Sequence, residues 1–163
     1  MALRPLPSGG PLRCERCNAV YENKTWRVRR ASTAVPVGVT WTLCPACSQQ
    51  AAGEFFGRVT IPSRLPEDLE LAVRRRVWNV ERRARHTQPE RRLVGVERTR
   101  QGLEILTTSQ KLAHRIAREL EKAFGGRARY EWADRERELD ATWIPAGVDA
   151  VVRTEQTRKA RRS

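Results

Sequence analysis

The sequence lacks any long hydrophobic run. None of its apolar stretches approaches the roughly 20 residues that a membrane-spanning helix needs. The opening stretch MALRPLPSGG has too short an apolar part for a signal peptide, and two prolines interrupt it. We therefore expect a cytoplasmic protein with no membrane partner, in which thiols stay reduced and structural disulfides do not form.

The sequence also lacks the common motifs of enzymes. It contains no phosphate-binding G-x-x-x-x-G-K-[ST], no G-x-G-x-x-G, no H-E-x-x-H and no G-x-S-x-G. The only histidines are His86 and His114, and neither lies beside a residue with which it could act as a base or ligand. We expect a non-enzymatic protein with no small-molecule substrate.

Lysine is scarce, whereas arginine is abundant. Only four of the 32 basic residues are Lys, and 19 acidic residues leave a net charge of +13. A GC-rich genome can exchange Lys for Arg, but it does not by itself create an excess of positive charge. A field of this size favours polyanions, namely RNA, DNA or an anionic membrane surface.

Cysteine occurs only four times, in two C-x-x-C pairs. Cys14 and Cys17 form the first pair, Cys44 and Cys47 form the second, and 26 residues lie between Cys17 and Cys44. Two such knuckles complete a tetrahedron around Zn²⁺ with no open position, as in zinc ribbons and treble clefs. The pattern predicts one structural zinc ion. A zinc ion bound by four thiolates forms a negatively charged complex, and Arg13 and Arg16 can offset that charge.

A thiol oxidoreductase is the alternative interpretation of the cysteines. The second pair, CPAC, is followed by SQQAAGE, which could begin a short helix as redox motifs require. This interpretation leaves the first pair unexplained. Zinc explains both pairs.

The order of segments predicts an α+β fold. Pro66, followed by two acids, marks the start of a helix, and the stretch SQKLAHRIARELEKAFGG shows the clearest helical periodicity. Hairpin patterns precede and follow this second helix. We predict a flexible lead (1–12), an N-terminal Cys₄ zinc ribbon or treble-clef module (13–65), a basic amphipathic linking helix (66–88), a small ββαββ antiparallel-sheet domain (89–146) and a basic disordered tail (147–163).

Amphipathic patterns also predict the core. One face of the first helix should pack inward through Leu69, Val73, Val77, Val80 and Ala84. In the last predicted strand pair, alternation places Tyr130, Trp132 and Trp143 in the core under the second helix. The opposite face of that pair carries arginines and acids, which suits cross-strand charge pairing.

Basic residues interleaved with tryptophan are the candidate RNA contacts. Arg and Lys bind phosphates, and Trp stacks on unpaired bases. The candidates lie in NKTWRVRR, on the outer face of the first helix and in the tail: Lys24, Arg27, Arg29 and Arg30; Arg74, Arg75, Trp78, Arg82 and Arg85; and Arg158, Lys159, Arg161 and Arg162.

Alternatives to RNA contact stay open for these residues. Trp78 could pack against the zinc module, with the arginines as a solvated rim partly paired with Glu70 and Glu81. Trp26 could cover the small zinc core. The alternative function is that of a protein-interaction module, which docks onto another protein through its ribbon or hairpin edges.

Several stretches resemble a known family. CERCNAVY, LCPAC, NVERRARHTQP, LEILTTSQKLAHRIA and RELDATW are similar to the zinc-binding ribosomal large-subunit export adaptor of eukaryotes and its archaeal and bacterial zinc-ribbon relatives, above all the short bacterial members. The similarity covers about Arg13 to Trp143. It implies that the four cysteines bind zinc, and it suggests that the protein associates with the large ribosomal subunit and its RNA.

The chain departs from the eukaryotic adaptor in two respects. The adaptor has more C-x-x-C pairs and binds more than one zinc ion, whereas this sequence has two pairs. The long shuttling extensions of the adaptor have no counterpart here, so the resemblance does not imply nuclear export.

Overall fold

The computed structural model describes residues 10–29, 34–35, 37–133 and 138–147. Within this part of the chain the protein is α+β, with three helices and two mixed sheets. The strands are β1 (Leu12–Cys14), β2 (Val20–Glu22), β3 (Thr25–Arg27), β4 (Thr40–Thr42), β5 (Gly57–Ile61), β6 (Leu93–Arg98), β7 (Leu103–Thr107), β8 (Arg127–Ala133) and β9 (Glu138–Ile144). The helices are α1 (Pro45–Ala52), α2 (Glu67–Thr87) and α3 (Gln110–Phe124).

Two of the predicted segments fall mainly outside the described residues. These are residues 1–9 of the predicted lead and residues 148–163 of the predicted tail. Across the part of the chain that is described, no helix is both long enough and apolar enough to cross a bilayer.

The smaller sheet carries the cysteines and has the strand order β3-β2-β1-β4. β1 pairs antiparallel with β2 and parallel with β4, which brings Cys14 opposite Thr42. The hairpin between β2 and β3 turns at Asn23 and Lys24, both with positive φ. This sheet therefore places the first cysteine pair beside the residues that lead into the second.

The larger sheet contains one strand more than predicted. Its order is β6-β7-β5-β9-β8, so the predicted series β6, β7, α3, β8, β9 is present with β5 in its middle. β5 pairs antiparallel with β7 but parallel with β9, which makes the sheet mixed rather than antiparallel. β5 comes from residues that the sequence pattern assigned to the zinc module. The prediction missed this strand because a run as short as GRVTI does not show which sheet it joins.

The two long helices cover one face of the larger sheet. α3 packs against β5, β7, β8 and β9, and α2 packs against α3. The predicted inward face of α2 is confirmed, because Val73, Val77, Val80 and Ala84 are buried and Leu69 is partly buried against the same core. Burial of these side chains fixes the opposite face of α2 toward solvent.

The aromatic residues predicted for the core divide into two groups. Trp143 is fully buried, and its Nε1–H donates to the carbonyl of Gly125 at 2.9 Å. Tyr130 is half-buried and stacks on His114 with ring centroids 4.5 Å apart. The prediction for Trp132 was wrong, because its side chain is 58% exposed at the end of the edge strand β8.

The predicted charge pairing between β8 and β9 is also wrong. The register places Arg129 opposite Thr142 and Glu131 opposite Asp140. Asp140 instead forms an ion pair with Arg58 of β5, 3.6 Å away. The sequence pattern missed this because it did not include β5 in the sheet.

Candidate functional site

The four cysteines converge on one point. Their Sγ atoms all lie within 4.8 Å of one another, and the Sγ atoms of Cys17 and Cys44 are 3.7 Å apart. All four are free thiols, and three of them are buried. Cysteines at this distance without a disulfide suggest a bound metal.

Local backbone geometry positions the first pair. Cys14 ends β1, and its carbonyl accepts a hydrogen bond from Asn18 N–H at 2.9 Å. Asn18 takes a positive φ of 61°, which Asn tolerates better than most residues, and this closes the knuckle. Cys17 lies inside the resulting turn, so its sulfur is directed back toward Cys14.

The start of α1 positions the second pair. Cys44 is the N-cap residue of α1, and its sulfur accepts a hydrogen bond from Cys47 N–H at 3.4 Å. Pro45 occupies the first helical position, where a missing N–H costs nothing. The N–H of Cys44 in turn donates to Cys14 Sγ at 3.3 Å. Backbone N–H groups thus point at the sulfurs of Cys14 and Cys44 and help to hold them in place.

The thiols perturb one another strongly. A hydrogen bond from Cys44 is the main reason that the pKa of Cys17 falls to about 4, against the opposing effect of burial. The same bond and burial raise the pKa of Cys44. Burial is the main cause that raises the pKa of Cys47 to about 11. The four sulfurs thus interact directly, and a divalent cation that binds them would displace the thiol protons, as metals do when they bind thiols.

The donor set fits a tetrahedral metal ion. A tetrahedron with metal–sulfur bonds of about 2.3 Å has edges of about 3.8 Å, close to the 3.7 Å between Cys17 and Cys44. Four soft sulfur donors with no open position suit a structural ion. Trp26 packs against this cluster, as the core interpretation of that residue expected.

Arg13, which precedes Cys14 in the chain, and Arg92 are both buried, and the sequence pointed only to Arg13. Arg13 is buried, and its guanidinium lies 5.6 Å from the ring centroid of Trp41, whereas Arg16 is exposed. Arg92 is also buried, and its side chain lies close enough to Cys17 to help lower the pKa of that thiol. Arg92 lies far along the chain, so no local pattern could have connected it with the cysteines.

Within the described residues, the start of β6 contacts the cysteine module, which is formed by β1–β4 and α1. Arg92 Nε donates to the carbonyl of Pro89 at 2.7 Å, which fixes the guanidinium beside Cys17. Gln50 of α1 donates to the carbonyl of Leu93 in β6 at 2.6 Å. The two halves of the described chain therefore meet where β6 begins.

The outer face of α2 carries four of the eight predicted contacts that the structure describes. Trp78 is 51% exposed there, so it does not pack against the cysteine module. Arg75, Arg82 and Arg85 are exposed on the same helix, and Arg82 donates to the side chain of Asn79. These four residues form the α2 face: Arg75, Trp78, Arg82 and Arg85.

Arg74 is positioned differently from its neighbours. Its Nε donates to Glu70 Oε1 at 3.0 Å and a terminal nitrogen donates to the carbonyl of Val96 at 3.3 Å. These bonds turn Arg74 toward β6 and away from the α2 face. We therefore assign Arg74 to structure rather than to contact with a ligand.

The remaining predicted contacts lie on the β2–β3 hairpin or outside the described residues. Lys24, Arg27 and Arg29 are exposed, and Arg29 forms an ion pair with Glu22. The predictions outside the described residues are Arg30, Arg158, Lys159, Arg161 and Arg162.

The sequence was also compared with known proteins. No protein-family model and no curated protein matches it. The resemblance to the export-adaptor family stays a prediction, and the function has to be inferred from the site itself.

Proposed function

We propose that this protein is a non-enzymatic, zinc-stabilised RNA-binding protein that associates with the large ribosomal subunit. One observation carries the RNA part of the proposal: Trp78 is half exposed on a helix face that also presents Arg75, Arg82 and Arg85. An exposed tryptophan costs solvation free energy, whereas a buried one would stabilise the fold. Its position among arginines suits an unpaired base with its flanking phosphates.

Zinc is the metal that best suits the four-sulfur cluster. The donors are all thiols, the edge length fits, and Cys14, Cys44 and Cys47 are buried, so no position remains open for a substrate. The ion would supply folding free energy and no chemistry. Cys14, Cys17, Cys44 and Cys47 are its proposed ligands.

The surroundings of the cysteines also distinguish between a metal site and the alternative of a thiol oxidoreductase. Cys44 does begin a helix, as a redox motif would. However, the strands on either side of α1 belong to different sheets, and the first cysteine pair lies against the second. Both features favour a shared metal ion over a redox centre.

The charge of the chain supports a polyanionic partner. A net charge of +13 attracts RNA from a distance, and the α2 face then supplies phosphate contacts and stacking. Each phosphate contact releases counterions, so log K should fall by roughly 0.7 to 0.9 per contact for each unit of log salt. Binding of RNA should therefore weaken steeply between low and moderate salt.

The test is a charge reversal on the α2 face. Arg75→Glu with Arg82→Glu should weaken RNA binding and reduce its salt slope, without unfolding the protein, because both side chains are exposed. Arg115→Glu with Arg118→Glu on the exposed side of α3 is the matched control, since it changes the net charge equally. Equal loss in both double variants would assign the binding to net charge alone.

Ribosome association needs its own measurement. The protein in a cell lysate should sediment with the large ribosomal subunit on a gradient and should leave that fraction after ribonuclease treatment. Sedimentation that is insensitive to ribonuclease would indicate a protein partner instead. The double variant at Arg75 and Arg82 should shift toward the top of the gradient.

A further inference from the structure

Strand β8 forms one edge of the larger sheet. Its seven residues, Arg127–Ala133, pair with β9 on one side, and no strand of the described residues lies on the other. A free edge presents unpaired N–H and C=O groups that can pair with another strand. At seven residues β8 is longer than the five or six of an average strand, so this edge is not protected by being short.

The hydrogen bond of Ala128 shows which backbone N–H and C=O groups of β8 point away from β9, toward the free edge. Its N–H donates to the side chain of Glu121 at 2.6 Å and not to β9. Because antiparallel strands alternate, the backbone groups of Tyr130 and Trp132 share this outward direction. The outward-facing positions therefore centre on Tyr130, the middle residue of the strand.

Side chains on both faces of β8 lack favourable neighbours within the described part of the chain. On the helix-covered face, Trp132 is 58% exposed. On the other face, Arg129 and Glu131 are exposed, and Glu131 lies opposite Asp140, a residue of the same charge. Like charges directly opposite each other destabilise a sheet.

We propose that β8 pairs antiparallel with β8 of a second copy of this chain, about a two-fold axis through Tyr130. In this register Arg129 of each copy lies opposite Glu131 of the other, so two cross-strand ion pairs form. Ala128, a small residue, lies opposite the large ring of Trp132. The two larger sheets then continue as one, and the exposed edge disappears.

Charge selects this register over its neighbours. A two-fold axis through Arg129 would place the two Arg129 side chains opposite each other, and an axis through Glu131 would do the same to two carboxylates. The axis through Tyr130 replaces both repulsions with attractions. It also gives Glu131 an oppositely charged partner, whereas Asp140, which lies opposite Glu131 in β9, already pairs with Arg58.

The side chain of Glu121 competes with the second copy for a backbone group of this edge. Its carboxylate occupies the Ala128 N–H, which in the dimer would bond to the carbonyl of Trp132 in the second copy. Glu121→Ala removes this competitor and should strengthen self-association.

The test measures self-association of the full chain by sedimentation equilibrium over a series of protein concentrations. Glu131→Arg should weaken dimerisation by roughly tenfold or more, because the symmetry converts two attractive pairs into two repulsive ones. Arg129→Glu should do the same although it lowers the net positive charge. The double variant, Arg129→Glu with Glu131→Arg, exchanges the charges and should restore the dimer.

Glu97→Arg is the matched control. Glu97 is exposed on β6, at the opposite edge of the same sheet, and this change alters the net charge as Glu131→Arg does. It should leave dimerisation unchanged. Glu131→Arg should not unfold the monomer, since it places an arginine opposite Asp140.

Three results would overturn the inference: a wild-type chain that stays monomeric at every concentration, equal effects of Glu97→Arg and Glu131→Arg, or a double variant that fails to recover. None of these results bears on RNA binding by the α2 face, because that face lies on helix α2 and the proposed dimer contact lies on strand β8.

Discussion

The backbone N–H of Cys44 donates a hydrogen bond to the sulfur of Cys14 at 3.3 Å, although the two residues are 30 positions apart. One belongs to the end of β1 and the other to the start of α1. The second knuckle therefore helps to fix a sulfur of the first. The cysteine cluster is formed by tertiary structure, and its loss should be cooperative.

The first prediction concerns removal of the metal. The cysteine cluster and the core of the larger sheet are separate groups of buried residues. A metal ion contributes on the order of 10 kcal/mol to folding of a module like the first. We expect a chelator to raise amide hydrogen exchange across residues 12–47 and to leave β5, β7 and β9 protected.

Elemental analysis supplies the matching measurement. The native chain should contain one zinc ion, and Cys14→Ser should lose it because serine is a poor ligand for zinc. Ser48→Ala, on the exposed side of α1, is the control and should retain the ion. Native protein without a tightly bound metal would contradict the proposed zinc site.

The second prediction compares two tryptophans of the last strand pair. Trp143 is fully buried and donates a hydrogen bond, whereas Trp132 is mostly exposed. Trp143→Ala should lower the free energy of unfolding by about 3–5 kcal/mol. Trp132→Ala should change it by less than about 1 kcal/mol.

Urea unfolding of both variants at low protein concentration provides this comparison. The low concentration keeps any dimer from adding to the measured stability. Equal losses of stability would mean that Trp132 is buried in solution, as the sequence pattern predicted.

Trp132 also shows what a local pattern cannot contain. Alternation correctly placed Tyr130, Trp132 and Trp143 on one face of their strands, since the register pairs Trp132 with Leu139. Whether a helix covers that face at each position depends on where α3 lies. The face of a residue is a local property, whereas its burial is not.

The same limit explains β5 and Arg92. The cysteine spacing and the helical periods of α2 and α3 are local signals, and the cluster and both helices followed from them. β5 joins strands that lie more than 40 residues further along the chain. Arg92 reaches Cys17 only because the fold brings β6 to α1.

The third prediction separates stacking from apolar contact at Trp78. If an unpaired base stacks on this ring, Trp78→Leu should weaken binding of single-stranded RNA by about 1–3 kcal/mol, because leucine has no aromatic face. Trp78→Phe should keep most of the affinity. Neither change should alter stability greatly, since the side chain is 51% exposed.

Fluorescence anisotropy with a labelled single-stranded RNA can measure these affinities at one fixed salt concentration. Salt must be fixed because the phosphate contacts depend on it strongly. Identical affinities for the Leu and Phe variants would show that the ring does not stack, and would leave the arginines as the only contacts on the α2 face.

The last prediction concerns pH and the ion pair that joins α2 to β6. Glu70 accepts hydrogen bonds from Arg98 at 2.9 Å and from Arg74 at 3.0 Å. The Arg98 bond is the main reason that the pKa of Glu70 lies below its ordinary value of 4.5. A carboxylate with a lowered pKa stabilises the fold fully above its ordinary pKa and loses this contribution as pH falls through the lowered value.

Glu70→Gln should therefore be less stable than the native chain at neutral pH, by a small amount because Arg98 is largely in solvent. The difference should shrink as pH falls from 4.5, the ordinary pKa, through the lowered pKa of Glu70, below which the native carboxylate is also protonated. Urea midpoints from neutral pH down to about pH 3 measure this trend. Glu97→Gln on β6 is the control and should run parallel to the native curve; a constant gap between Glu70→Gln and the native chain at every pH would assign the effect to packing instead of charge.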